Sequence, residues 1–141
     1  MCVGTKDWNG IYTSTDIKNL FTHQIPFLER LGYKVDENNL HIIGLSNGGS
    51  ASNIAYAGYS SRFKSIAFMS TGISHTYPIP SEVLLIGGNR DNSSGSMPGA
   101  YRALKNNGTK VDMYWGEGDT HYLLLTQTDD VVRFLNRHYN K

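Results

Sequence analysis

The sequence of 141 residues has little of several features that would indicate particular protein classes. It contains one cysteine, Cys2, so that neither an intrachain disulfide nor a cysteine-rich metal site can form. Charged residues make up only 18% of the chain, the net charge is +1, and lysine and arginine form no block. This charge distribution argues against non-specific nucleic-acid binding, which favours a basic surface. No apolar run approaches the roughly 18 residues of a transmembrane helix, and no membrane span is predicted.

Motifs for metals and nucleotide cofactors are also missing from the sequence. There is no His-x-x-x-His, no D-x-D-x-D-G loop, no G-x-G-x-x-G and no Walker loop. We therefore predict no metal and no cofactor. The residues after Met1 are too polar for a signal peptide. The chain as written would be cytoplasmic, and it would be secreted if it is a fragment of a longer precursor.

What the sequence does contain is an alternation of apolar strands and amphipathic helices in a chain of single-domain length, residues 1–141. Residues 1–13 are predicted as a loop, with a possible strand stub at Met1–Val3. The predicted helices are 14–31, stopped by Gly32 and kinked or broken by Pro26, then 47–58, 98–106 and 126–139. The predicted strands are 40–45, 65–70, 82–88 and 110–115. This order favours an α/β fold, with a mostly parallel sheet covered by helices on both faces.

The first strand leads into Gly44-Leu45-Ser46-Asn47-Gly48, which fits G-x-S-x-G. If the following helix starts at about Asn47, Ser46 lies on a tight strand-to-helix turn. Small residues are expected two positions before and after it, because the backbones crowd there. The Asn47 N–H would point at whatever the serine oxygen attacks. The motif is short, and a glycine-rich structural turn is the alternative interpretation.

Two later strands are followed by residues that complete this chemistry. Asp91 comes three residues after Gly88, and His121 ends a Gly-Glu-Gly-Asp-Thr-His loop. Ligands bind at the carboxyl ends of parallel strands, so that Ser46, Asp91 and His121 would share one edge of the sheet. A histidine can activate a serine as a general base, and a carboxylate can orient that histidine. Asp112 and Asp119 compete with Asp91 for this role, but one lies within a strand and the other is too close to His121 in sequence.

Taken together, the elbow motif and the chain order Ser, Asp, His resemble the α/β-hydrolase family over roughly Ile17–Tyr139. The resemblance implies that Ser46 is the nucleophile, Asp91 the acid, His121 the base and the Asn47 N–H an oxyanion donor. It implies a serine hydrolase, of carboxylesterase or lipase type, that cleaves an ester or related small acyl substrate through an acyl-enzyme. A peptidase would have the same three residues. His75, in the loop after the second strand, is a candidate for substrate binding, although a solvent-exposed loop residue is the alternative.

The chain departs from the family at its beginning. The strands that normally precede the elbow strand are missing, and so is the loop that carries the second oxyanion donor. The sequence therefore predicts the C-terminal portion of the family fold, with an apolar edge at residues 40–45. A missing N-terminal segment or a homodimer would cover that edge, and the loop Gly4–Gly10 could replace the donor. The rival function is a catalytically impaired fragment, or a non-catalytic binding module that retains the hydrolase scaffold.

Overall fold

A computed structural model of the chain describes residues 12–121 and 124–139. The helices and strands alternate along the chain in the order α1 (Ser14–Asn19), α2 (Ile25–Arg30), β1 (His41–Leu45), α3 (Gly49–Tyr59), β2 (Ser65–Met69), β3 (Glu82–Gly88), α4 (Met97–Asn106), β4 (Val111–Gly116) and α5 (Leu124–Tyr139). The predicted strand stub at Met1–Val3 and the loop Gly4–Gly10 lie outside the described residues.

The first helical segment begins with a capping box. Thr13 caps α1 because its hydroxyl accepts the Asp16 N–H, while the Asp16 carboxylate accepts the Thr13 N–H at 2.7 Å. At the other end, Gly32 has a φ of +88° and ends α2. The Gly32 and Tyr33 N–H groups bond back to the carbonyls of Glu29 and Leu28, as in a Schellman motif.

The sequence predicts a kink or a break at Pro26. The chain does not break there, because it stays helical to Arg30. A π-helical turn over Leu20–Gln24 joins α1 to α2, and the Ile25 N–H bonds the Leu20 carbonyl five residues back. Pro26, which has no N–H to donate, lies in the first turn of α2 directly after this wide turn. The proline is therefore accommodated at the point where the hydrogen-bond ladder is already interrupted.

Within the described residues, the sheet has four parallel strands in the order β1-β2-β3-β4. On one face, apolar side chains of the strands pack with α1, α2, α3 and α4, and the buried members include Ile17, Ile25, Tyr56, Phe68, Leu85 and Leu104. On the other face, Phe134 of α5 packs against Ala67, Met69, Leu84 and Ile86. The predicted α/β class, with helices on both faces of a parallel sheet, is confirmed.

The predicted boundaries need small corrections at the strand ends that carry polar residues. The helix predicted from Asn47 begins at Gly49, because a 3₁₀ turn over Ser46–Gly48 comes first. The second strand ends at Met69 and not at Ser70, whose φ of +48° cannot continue a strand.

Strand β1 lies at one edge of the described sheet, as the sequence predicts. Its side chain Ile43 is 42% exposed, whereas the neighbouring Ile42 is buried against the helices. What covers this edge stays a prediction. Among the described residues, no helix is both long and apolar enough to cross a bilayer.

Candidate active site

Ser46 occupies a sharp turn at the carboxyl end of β1. Its φ is +53°, a left-handed conformation that residues other than glycine rarely adopt. Strand β1 ends at Leu45 and a 3₁₀ turn starts at Ser46, so that the chain changes direction at this residue. Backbone strain of this kind costs on the order of 1–3 kcal/mol and persists where the surrounding structure enforces it.

Around this turn, neighbouring atoms approach the backbone most closely at Gly44 and Gly49. A Cβ on Gly44 would lie 2.3 Å from the Gly48 carbonyl oxygen, and one on Gly49 would lie 2.1 Å from Thr71 Oγ1. A Cβ on Gly48 would meet no atom of the described residues within 4 Å. The prediction of a required small residue is therefore right two positions before Ser46 and wrong two positions after it. The second close approach is one residue later, at Gly49, because Thr71 of the loop after β2 packs against it.

Asp91 lies in the loop after β3 and is 5% exposed. Its Oδ1 accepts the Ser93 N–H at 3.0 Å, and its Oδ2 accepts the Ser94 hydroxyl at 2.6 Å. The first of these bonds caps a 3₁₀ turn over Asn92–Ser94. The carboxylate thus has a capping role, but Oδ1 also faces the histidine described next.

The hydrogen bonds around Asp91 favour its ionised form. Burial alone would raise the pKa of this carboxyl, but bonds from Ser94, His121 and Ser93 outweigh burial and lower the pKa below its ordinary value. Asp91 is therefore an anion at neutral pH, and it can only accept hydrogen bonds.

His121 connects Asp91 to Ser46. Its Nδ1 is 3.0 Å from Asp91 Oδ1, and its Nε2 is 2.7 Å from Ser46 Oγ. Because ionised Asp91 accepts, Nδ1 must carry the proton of a neutral imidazole, and Nε2 then accepts the serine hydroxyl. The His121 side chain is 36% exposed, so that solvent can reach the ring.

The remaining candidates lie away from this hydrogen-bonded chain. The carboxylate of Asp112 is paired with Arg137, and that of Asp119 lies 3.4 Å from Gln127 Nε2.

His75 is exposed and stacks on Tyr56, in the third turn of α3. Burial raises the pKa of Tyr56 to about 12, with a smaller contribution from the charge of Tyr77. Substrate binding by His75 stays a prediction.

Asn47 follows Ser46 in the 3₁₀ turn over Ser46–Gly48. The backbone N–H groups of a first helical turn have no acceptor within the helix and carry a partial positive charge. The Asn47 N–H belongs to this group because the helical turn starts at Ser46. Its side chain is exposed, so that the backbone and not the side chain is the part of Asn47 held by the fold.

Comparison with solved structures identifies the architecture that holds these residues. An S-formylglutathione hydrolase from Agrobacterium tumefaciens superimposes with a TM-score of 0.64 at 18% identity, over 98% of this chain and 62% of its own. A carboxylesterase from Bacillus cereus gives 0.58 at 22% identity, over 95% and 67%. A predicted CIB-like hydrolase from Thermoplasma acidophilum gives 0.58 at 15% identity, over 92% and 61%.

This chain has the α/β-hydrolase fold. The chain spans 62% and 67% of the length of the first two structures. No protein-family model matches the sequence, and no curated protein matches it. The likeness is therefore one of three-dimensional structure.

Two further features near these residues were not predicted from the sequence. Ser94 bonds the second oxygen of Asp91, and Gly87 makes room for it, because a Cβ on Gly87 would lie 2.6 Å from Ser94 Cβ. The spacing Asp-x-x-Ser after a Gly-Gly strand end is the signal that could have indicated this pair. Ser70 is the other feature, with a positive φ and a fully buried Oγ that has no hydrogen-bond partner among the described residues.

Metal binding finds no support in the described part of the chain. No cluster of three or more histidine, cysteine, aspartate or glutamate side chains is present there. The polar groups that converge at Ser46 are a hydroxyl, an imidazole and a carboxylate already bonded to one another.

Proposed function

We propose that this chain is part of a serine hydrolase that cleaves an ester or related acyl bond, with Ser46 as nucleophile, His121 as general base and Asp91 as the acid that orients it. The observation that carries the proposal is the continuous hydrogen-bonded chain from Ser46 Oγ through the imidazole to Asp91 Oδ1, at 2.7 and 3.0 Å. Such a chain lets a serine lose its proton as it attacks.

In the first half of the reaction, Ser46 Oγ attacks the carbonyl carbon and His121 Nε2 takes the hydroxyl proton. The imidazolium that forms is held by Asp91, which stays ionised because its pKa is lowered. The carbonyl oxygen becomes an oxyanion, for which the Asn47 N–H is the donor that we assign. His121 then gives its proton to the leaving alcohol, and the acyl group remains on Ser46.

In the second half, a water molecule gives a proton to His121 Nε2 and attacks the acyl carbon. Collapse of the second oxyanion releases the carboxylic acid and returns the proton to Ser46 Oγ. The 36% exposure of the His121 side chain supports this step, since water can reach the ring. Removing one oxyanion donor from a serine hydrolase typically lowers turnover about 10²–10³-fold, so that the number of donors decides the rate.

Two neighbouring structures favour an acyl substrate over a peptide. One is an S-formylglutathione hydrolase and another is a carboxylesterase. Both share the fold with this chain, at identities of 18% and 22%. We therefore propose a small acyl ester as substrate.

Labelling with a fluorophosphonate probe tests this function, because the probe reacts with activated serines. We expect labelling of the wild-type chain at Ser46, none in Ser46→Ala, and a strong reduction in His121→Ala. Ser50→Ala is the matched control, because Ser50 lies in the next turn and its hydroxyl bonds only the Asn47 carbonyl among its described partners.

Each other outcome counts against the proposal. Labelling that persists in Ser46→Ala would assign the reactive group elsewhere. A folded wild-type chain that is not labelled would favour the rival function, a hydrolase scaffold that binds without catalysis. Circular dichroism of each variant separates these outcomes from loss of the fold.

A further inference from the structure

A slot between two strand ends is occupied by Asp119. Gly88 of β3 and Gly116 of β4 are paired in register at the carboxyl edge of the sheet. A Cβ on Gly88 would lie 2.6 Å from Asp119 Cβ, and one on Gly116 would lie 1.8 Å from Asp119 Oδ2. The two glycines thus leave a space that the Asp119 side chain fills. Gln127 of α5, which is 2% exposed, places its Nε2 3.4 Å from the same carboxylate oxygen.

The backbone around this slot joins the loop that carries Asp91 to the loop that carries His121. The Arg90 N–H donates to the Asp119 carbonyl at 3.1 Å, and the Asn89 N–H donates to the Gly116 carbonyl at 3.2 Å. The Asn89 side chain completes the link by accepting the Gly118 N–H at 2.7 Å. Arg90 directly precedes Asp91, and Asp119 lies two residues before His121.

We propose that Asp119 is a positioning residue that sets the distance between Asp91 and His121. Its side chain fixes the second loop against the strand ends, and its carbonyl holds the first loop one residue before Asp91. This inference rests on the proposed hydrolase function. Asp119 does not take the place of Asp91 as the acid, because its carboxylate faces the slot while His121 Nδ1 bonds Asp91.

The positioning role of Asp119 depends on the shape of its side chain, whereas a role as the acid would depend on its charge. Asparagine has nearly the same shape as aspartate, fills the slot and leaves the Arg90 bond in place. Alanine empties the slot and frees the loop. We expect Asp119→Asn to hydrolyse a chromogenic acetate ester at close to the wild-type rate. In Asp119→Ala we expect kcat to fall about 10²-fold with little change in KM, because misplacing a reacting group by about 1 Å has that effect.

Gly116→Ala is an independent test of the same slot, since the added methyl group would meet the Asp119 carboxylate and displace it. We expect a loss of kcat comparable with that of Asp119→Ala. Glu117→Ala, an exposed change in the same loop, should behave as wild type. If Asp119→Ala does not fold, Asp119→Ser, which also leaves most of the slot empty, takes its place.

A spectroscopic readout keeps this inference separable from the proposed function. The low-field proton resonance of His121 Nδ1–H reports its bond to Asp91 whether or not the chain hydrolyses esters. We expect this resonance in wild type and Asp119→Asn, and its loss or upfield shift in Asp119→Ala and Gly116→Ala. An unchanged resonance and unchanged kcat in folded Asp119→Ala would overturn the inference, as would a loss in Asp119→Asn as large as in Asp91→Asn. A wild-type chain that shows the resonance but no activity would contradict the proposed function alone.

Discussion

Asp91→Asn exchanges one carboxylate oxygen for an amide nitrogen without changing the shape of the side chain. Oδ1 accepts both the His121 Nδ1–H and the Ser93 N–H, so that an oxygen must remain at this position. The new amide nitrogen then replaces Oδ2, 2.6 Å from Ser94 Oγ. Because a hydroxyl can rotate from donating to accepting, Ser94 can receive the new N–H. We therefore expect His121 to keep the tautomer whose Nε2 accepts the Ser46 proton.

What this variant loses is the negative charge that faces the imidazolium. Two unit charges about 4 Å apart interact by roughly 4 kcal/mol at an effective dielectric constant of about 20. The imidazole is 36% exposed, so that solvent screens part of this energy. We take about 2–3 kcal/mol as the remaining effect on the transition state. Since each 1.4 kcal/mol corresponds to about tenfold in rate, kcat should fall about 10²-fold.

Steady-state hydrolysis of p-nitrophenyl acetate by wild type, Asp91→Asn, Ser94→Ala and the double variant measures these effects. In the double variant the amide nitrogen has no hydroxyl to donate to, and the Ser93 N–H alone still favours an oxygen at the Oδ1 position. The reversed amide, which favours the wrong His121 tautomer, is then populated. Its loss should approach the roughly 10⁴-fold that a wrong tautomer causes in serine proteases. A loss below about tenfold in Asp91→Asn would refute Asp91 as the acid. A loss near 10⁴-fold in the single variant would refute the compensating role of Ser94.

Three further experiments test the structure around the site. Because the pKa of Asp91 is lowered on folding, its contribution to stability is complete above the ordinary aspartate pKa and is lost as pH falls through the folded value. Urea unfolding should therefore show a smaller acid-induced loss of stability in Asp91→Asn than in wild type, and an equal loss would contradict the shift. Gly48→Ala should raise the free energy of unfolding by about 0.4–1 kcal/mol, since Gly48 has helical angles and open space, whereas Gly44→Ala and Gly49→Ala should destabilise the chain. Equal effects in the three variants would refute the assignment of crowding. Ser70→Ala removes a buried hydroxyl that has no partner among the described residues, and it should leave the free energy of unfolding unchanged or raise it by about 1 kcal/mol. A clear drop in melting temperature would show that the hydroxyl is satisfied in solution.

The features that could be predicted from the sequence are those written in local patterns. Apolar periodicity located the four strands, and the glycine after the first helix marked its end, because each depends on residues within a few positions of one another. The polar residues Ser46, Asp91 and His121 could be placed at one edge for a topological reason. Parallel strands end on the same side of a sheet, so that residues after their carboxyl ends are brought together whatever the loops do.

The remaining features were decided by contacts between distant parts of the chain. Gly49 and not Gly48 is crowded because Thr71 arrives from a neighbouring loop. Gly88 and Gly116 lie opposite each other on two neighbouring strands and leave a space that the Asp119 side chain fills. Asp91, and not Asp119, is therefore the carboxylate that bonds His121. Sequence alone thus determined which side chains could form a nucleophile, a base and an acid. Only the tertiary structure decided how they are held, because packing distances depend on neighbours that a local pattern does not contain.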